Sequence, residues 1–229
     1  MTTPTTGYAY LAASSQGKTL HTMIERALAG VRGRKARVAV SYAAVADSLP
    51  ARTYMKAFAL KAFWSADVHV FRVAGEHGET DAAEARRIVE EADVVFLSGG
   101  DPVLGARILR ESGADAWIRD ARARGAACMG VSAGAMMLCE AWASWPDAPD
   151  AEAPFHGGAL VPCTGVAPGL VVDCHAEDDG WEELVLVSAM LEARGGALPR
   201  RLGLPDGAGI VVAPDGSVEA IGGAPFEIA

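Results

Sequence analysis

Ala126-Ala127-Cys128-Met129-Gly130-Val131-Ser132-Ala133-Gly134-Ala135-Met136-Met137-Leu138 is the stretch on which the fold turns. As far as Val131 it is a short apolar run, which is how a strand buried on both faces reads. From Ala135 onward the residues are good helix formers. Between them, Gly130-x-Ser132-x-Gly134 must reverse the chain within a few residues. A glycine-flanked serine between a strand and a helix is the context of a nucleophile elbow. The glycines remove side chains that would clash in so tight a turn, and the serine Oγ is pushed out above the sheet. The start of the helix supplies free N–H groups and a positive dipole end, which favour developing negative charge.

Strand and helix patterns alternate outward from this turn. Toward the N-terminus, Asp93 to Gly100 is a continuous apolar run ending in two glycines, the clearest central strand. Asp81 reads as a helix N-cap with Glu84 completing a capping box. Val68 to Val73 alternates apolar residues with His69 and Arg72 and reads as a sheet edge. Pro50 opens a helix through Tyr54, Phe58 and Phe63. Arg37 to Tyr42 and Gly7 to Ala13 read as further strands, with Met23, Ile24, Ala27 and Leu28 at helical spacing between them. Helical stretches also begin at Pro102 and Ala114. This β-α order predicts a parallel sheet with helices on both faces. Beyond the turn, Trp145 to Pro154 reads as an exposed loop, Leu170 to His175 as a strand and Trp181 to Arg194 as a helix. Gly209 to Ile221 reads as a hairpin turning at Pro214-Asp215-Gly216.

The 229 residues suit one domain, here taken as 1–229, with a sizeable core. A formal net charge of −9 leaves no basic surplus for nucleic acid. No uncharged run is long enough for a membrane span, and the polar first residues do not read as a signal peptide, so a cytoplasmic location is expected. Cys128, Cys139, Cys163 and Cys174 form no CxxC pair, so neither a disulfide framework nor a metal site is expected. The chain has no Asn, and Gln16 is its only Gln. A Cys-His-Asn site is therefore impossible, and an oxyanion hole would draw mainly on backbone N–H groups.

A serine nucleophile needs a base. His175 ends a strand, where open α/β sheets build their sites, and is preferred to His156 in the loop. The base in turn needs an orienting carboxylate, for which Asp206, Glu140, Asp147 and Asp173 are candidates. The N–H of Ala133 is placed to be one oxyanion donor, and Gly99-Gly100 at the end of the neighbouring strand offers a second.

Ser98-Gly99-Gly100-Asp101, Gly130-Val131-Ser132-Ala133-Gly134-Ala135, Asp173-Cys174-His175 and Gly203-Leu204-Pro205-Asp206-Gly207-Ala208 together resemble the peptidase E and cyanophycinase family of serine peptidases. That family is similar in fold to the class I glutamine amidotransferases. The resemblance covers nearly the whole chain. It implies an α/β three-layer sandwich with a mostly parallel central sheet and a C-terminal β-hairpin. It implies Ser132 as nucleophile, His175 as base, and backbone at Gly100 and Ala133 as oxyanion hole. For the third residue, the cyanophycinase-like pattern points to Asp206 and the peptidase E-like pattern to Asp147 or Glu140; Asp206 is preferred. Gly99, Asp101, Asp173, Asp179 and Trp181 are the expected substrate-binding positions. The expected substrate is a short peptide, cleaved by a dipeptidase or exopeptidase without cofactor or metal; homo-oligomerisation is left open.

One departure bears on specificity. Family members carry an aromatic residue and arginines after the histidine, where this chain has Ala176-Glu177-Asp178-Asp179-Gly180-Trp181. The expectation is a preference for neutral or basic residues over Asp, unless Arg52, Arg72 or Arg201 reaches the site. Two rivals remain. Ala12 to Thr19 fits a loose phosphate-binding loop with Ala in place of its first Gly, which would make the chain a nucleotide-binding protein. An inactive binding protein on the same fold is the other. An α/β-hydrolase esterase fits less well, because no histidine follows His175.

Overall fold

The computed structural model describes residues 6–15, 17–74, 81–145 and 158–228. The N-terminal half alternates strand and helix as expected: β1 (Ala9–Ala12), α1 (Lys18–Ala29), β2 (Arg37–Ser41), α2 (Leu49–Ala62), β3 (Asp67–Val70), α3 (Ala82–Glu90) and β4 (Val94–Leu97). Two helices, α4 (Pro102–Glu111) and α5 (Ala114–Ala123), lead into β5 (Ala127–Val131) and α6 (Ala133–Leu138). After β6 (Ala141–Ser144) and β7 (Ala159–Pro162) come β8 (Leu170–Cys174), α7 (Glu182–Arg194) and β9 (Arg200–Leu204). The chain closes with β10 (Gly209–Val212), β11 (Val218–Ile221) and β12 (Phe226–Ile228).

Seven strands form the central sheet in the order β11-β10-β1-β5-β4-β2-β3. The pairings from β3 across to β1 are parallel, and the β10–β11 hairpin adds to the edge of β1 antiparallel. β3 is the edge strand its mixed pattern predicts. Asp81 caps α3, its side chain accepting from the Glu84 N–H.

Alternation along the strands builds two cores. Tyr10, Val38, Val40, Phe96 and Met129 pack against α1 and α2 on one face, with Met23, Ile24 and Phe63. Leu11, Val95, Leu97 and Cys128 face the other way, against residues of α3 to α7. Burial on both faces is why these strands read as unbroken apolar runs.

The strand expected over Leu170 to His175 forms, but outside the central sheet. β8 pairs parallel with β9, and β9 antiparallel with β12, in a second sheet. Its residues Val171, Leu202 and Leu204 share the core of the α3–α7 face. Most of the loop expected at Trp145 to Pro154, including Asp147, lies outside the described residues, as does His156.

Arg122 ties the periphery together. It is 8% exposed and donates to the carbonyl oxygens of Gly7, Val166 and Ala213. Burial lowers its pKa from the usual arginine value.

Candidate active site

β5 delivers Ser132 to the C-terminal edge of the central sheet. Its backbone is left-handed in φ, at φ 53° and ψ −125°. Such a conformation costs a non-glycine residue about 1–3 kcal/mol and persists only where its surroundings enforce it. The Ser132 N–H donates to the Ala12 carbonyl at 2.9 Å, and its own carbonyl accepts from Ala135 at 2.8 Å. The flanking glycines are sterically required. A Cβ on Gly130 would lie 2.2 Å from the Gly134 oxygen, and one on Gly134 would lie 2.1 Å from the Leu97 oxygen.

His175 arrives from the second sheet. β8 ends at Cys174, and His175 follows at φ 48°, its N–H held by the Leu204 carbonyl at 2.9 Å. Its Nε2 lies 2.8 Å from Ser132 Oγ. The Cys174 thiol reaches the Ser132 carbonyl at 3.7 Å, so the two strand ends are also linked beneath this contact. His175 is exposed and Ser132 half-buried, which leaves the pair open to solvent from one side.

The remaining predicted residues fall into three groups. Gly99, Gly100 and Ala133 surround the serine. A Cβ on Gly99 would lie 3.4 Å from Ser132 Cβ, while Gly100 adopts φ 143° and a Cβ there would lie 2.3 Å from the Ala44 carbonyl oxygen. Ala133 opens α6, whose six residues make its dipole a small term beside the N–H groups themselves.

No carboxylate among the described residues makes a hydrogen bond or ion pair with His175. Asp206, expected as the third residue, is exposed, and its backbone N–H is fixed by Glu177 Oε1 at 3.0 Å. Glu140 is at the far end of β8, where its N–H bonds the Leu170 carbonyl and its Oε1 accepts from Gly169. Asp101 caps α4, its Oδ1 accepting from Val103 and Leu104. Asp179 accepts from the Trp181 N–H at 3.0 Å.

Two expected substrate residues are buried. Trp181 is 6% exposed, stacks on Phe226 at 5.9 Å and is packing rather than pocket surface. The indole joins the start of α7 to the second sheet. Asp173 is 4% exposed; its Oδ1 accepts from the Cys174 N–H, and its Oδ2 has no partner. Burial first, and then the charges of Glu183 and Asp179, push its pKa up to about 7 despite the Cys174 N–H. Glu183 is raised as well, by burial and by Asp179.

Two features escaped the sequence reading. One is an apolar cavity opening at Ser132, lined by Tyr54, Met55 and Phe58 of α2. Their spacing announced a helix, but nothing in it said which end of the sheet that helix would cover. The other is Glu183, which lines a cleft of about 410 Å³ with Asp101, Arg107 and Trp142.

The phosphate-loop rival loses its groups to the fold. The Ala13 N–H donates to the Ala208 carbonyl at 2.9 Å. Thr19, 6% exposed, gives its hydroxyl to the Gly207 carbonyl at 2.5 Å. Among the described residues, no cluster of His, Cys, Asp and Glu is arranged to hold a metal ion, and no helix is long and apolar enough to cross a membrane.

A helix-flanked parallel sheet, with a serine hydroxyl touching an imidazole beyond its strand ends, is the construction of the serine hydrolases. The sequence pattern of peptidase family S51 matches residues 10–216, and the chain belongs to that family of serine peptidases. Solved structures agree in fold. A peptidase from an acI-B1 Actinobacterium superposes with a TM-score of 0.70 at 18% identity, covering 99% of this chain and 95% of its own. A protein assigned as a peptidase E from Listeria monocytogenes EGD-e gives a TM-score of 0.62 at 14% identity, covering 96% of this chain and 100% of its own. No curated protein matches the sequence significantly.

Proposed function

We propose that this serine peptidase cleaves short peptides from their N-terminal end, with Ser132 as nucleophile and His175 as general base. The 2.8 Å contact between Ser132 Oγ and His175 Nε2 carries the reading. As Oγ attacks the scissile carbonyl carbon, its proton passes to Nε2. The carbonyl oxygen gathers negative charge and is received by the N–H groups of Ala133 and Gly100; one such donor contributes roughly 3–4 kcal/mol. The imidazolium then protonates the leaving amine as the C–N bond breaks. Water, activated by the same imidazole, hydrolyses the acyl-enzyme.

Among the described residues no carboxylate bonds His175, so the proposal rests on the Ser132–His175 pair and leaves Asp206 out. Asp101 and Glu183 share the cleft beyond Gly100 with Arg107, and Asp179 lies close enough to Glu183 to raise its pKa. This side is net negative. It suits the α-ammonium of a short peptide and repels an aspartyl side chain. A fluorophosphonate probe is expected to label the wild type and not Ser132→Ala, with kcat in His175→Ala falling at least about a thousandfold. Labelling that survives Ser132→Ala would move the nucleophile elsewhere.

A further inference from the structure

A cavity of about 90 Å³ opens directly at Ser132 on the side of α2. Its walls are Tyr54, Met55 and Phe58 from α2, Phe96 from β4, and Gly99 and Val131 beside the serine. None of its lining residues is charged. Phe96 is 1% exposed and Val131 4%, so the floor is core, and Phe58 packs on Phe96 at 6.4 Å. The arginines able to restore an acidic preference are not in its walls, and Arg201 is tied to Glu192 at 2.8 Å.

We propose that this cavity receives the side chain of the residue whose carbonyl Ser132 attacks, and that it selects an unbranched or γ-branched aliphatic side chain such as that of Met or Leu. The proposal deepens the reading of Ser132 as nucleophile and rests on it. The Cα of the acyl residue is one bond from the attacked carbon, so its side chain must leave the reaction centre through space that Ser132 borders. Ser132 itself lines this uncharged, mainly apolar cavity, whereas it is not among the residues that line the cleft of Asp101, Arg107 and Glu183. An apolar cavity of about 150 Å³ holds a benzene ring. One of about 90 Å³ therefore suits an aliphatic chain and excludes an indole. An aspartyl carboxylate there would be buried with no cation to pair it. Gly99 supports the assignment: a side chain at that position would narrow the passage between Ser132 and the cavity.

The test uses diphenyl esters of 1-aminoalkylphosphonic acids carrying the Gly, Leu, Asp or Trp side chain. On attack the Ser132 Oγ–P bond forms, one P–O(phenyl) bond breaks, and phenol leaves with the serine proton through His175. The rate of mass gain on the intact protein is the readout. The Leu compound is expected to label at least about tenfold faster than the Gly compound, the gain a few buried methylenes provide, and the Asp and Trp compounds no faster than Gly. In Met55→Arg the Leu-to-Gly ratio is expected to fall to near one and the Asp compound to overtake the Leu compound. Equal Gly and Leu rates in the wild type, or an Asp compound that is fastest, would overturn the cavity assignment while leaving Ser132 as nucleophile. No labelling by any compound would instead overturn the nucleophile, and the proposal with it.

Discussion

Raising the pH from 5 to 8 is expected to destabilise this protein through one side chain, Asp173. Its carboxyl is 4% exposed, accepts a single N–H from Cys174, and leaves Oδ2 without a partner. Burial, then Glu183 and Asp179, raise its pKa from 3.8 to about 7. The native state therefore holds this proton more tightly than the unfolded chain does. Below the unfolded value both states are protonated and nothing is lost. Between that value and about 7 the unfolded chain ionises while the native one cannot, and stability falls by about 1.4 kcal/mol per pH unit. Above the folded value the loss is complete and flat. The step from pH 5 to 8 crosses about two units of this window, a loss of roughly 2–3 kcal/mol from this group. Other acids titrate over the same range, so the variant Asp173→Asn isolates the effect: it keeps an acceptor for Cys174 and removes the proton. Urea unfolding followed by circular dichroism at pH 5, 6, 7 and 8 measures both proteins. The difference in stability, variant minus wild type, is expected to grow by roughly 2–3 kcal/mol across the series. Curves that stay parallel to within about 0.5 kcal/mol would mean that Asp173 is solvated or paired in solution, and would refute the argument.

Three further outcomes follow from other parts of the structure. Ser132→Gly is expected to abolish peptidase activity yet raise stability by about 1–2 kcal/mol, because glycine adopts the turn's backbone without strain; a lower urea midpoint would contradict this. Gly134→Ala is expected to yield little folded protein, since its new methyl would sit 2.1 Å from the Leu97 oxygen; a wild-type melting temperature would show that the turn can shift. Arg122→Met strands three carbonyl groups and is expected to cost about 3 kcal/mol in urea unfolding without altering labelling of Ser132 by a fluorophosphonate.

Most of the central sheet was legible because strands buried on both faces leave unmistakable apolar runs. Val94 to Leu97 and Ala127 to Val131 announce themselves in this way, and Pro214-Asp215-Gly216 announces the hairpin turn. The second sheet was not legible. β8 has the same apolar pattern as a central strand, and β9, with two arginines and a glycine in five residues, does not read as a strand at all; only the long-range pairing of Leu170–Cys174 with Arg200–Leu204 defines the second sheet. The same limit applies to side chains. Ser132 is marked by glycines next to it in sequence, and its strain is local. The burial of Trp181 depends on Phe226, forty-five positions away, and the backbone N–H of Asp206 is held by Glu177, twenty-nine positions away. Spacing along the chain carries none of that.

The serine and histidine are 43 positions apart and sit on the ends of different sheets, so their contact is a product of tertiary packing. Both adopt positive φ without being glycine. Two such residues together cost a few kcal/mol, a large share of the net stability of a domain this size. Neither conformation would persist alone. At Ser132 the constraint is the absence of space around Gly130 and Gly134, and at His175 it is the Leu204 carbonyl that ends the β8–β9 ladder. The Cys174 thiol on the Ser132 carbonyl then couples one strained residue to the neighbour of the other. Loosening the second sheet should therefore withdraw the imidazole while leaving the elbow intact. That order of failure is what a pair built from two separately anchored strands predicts.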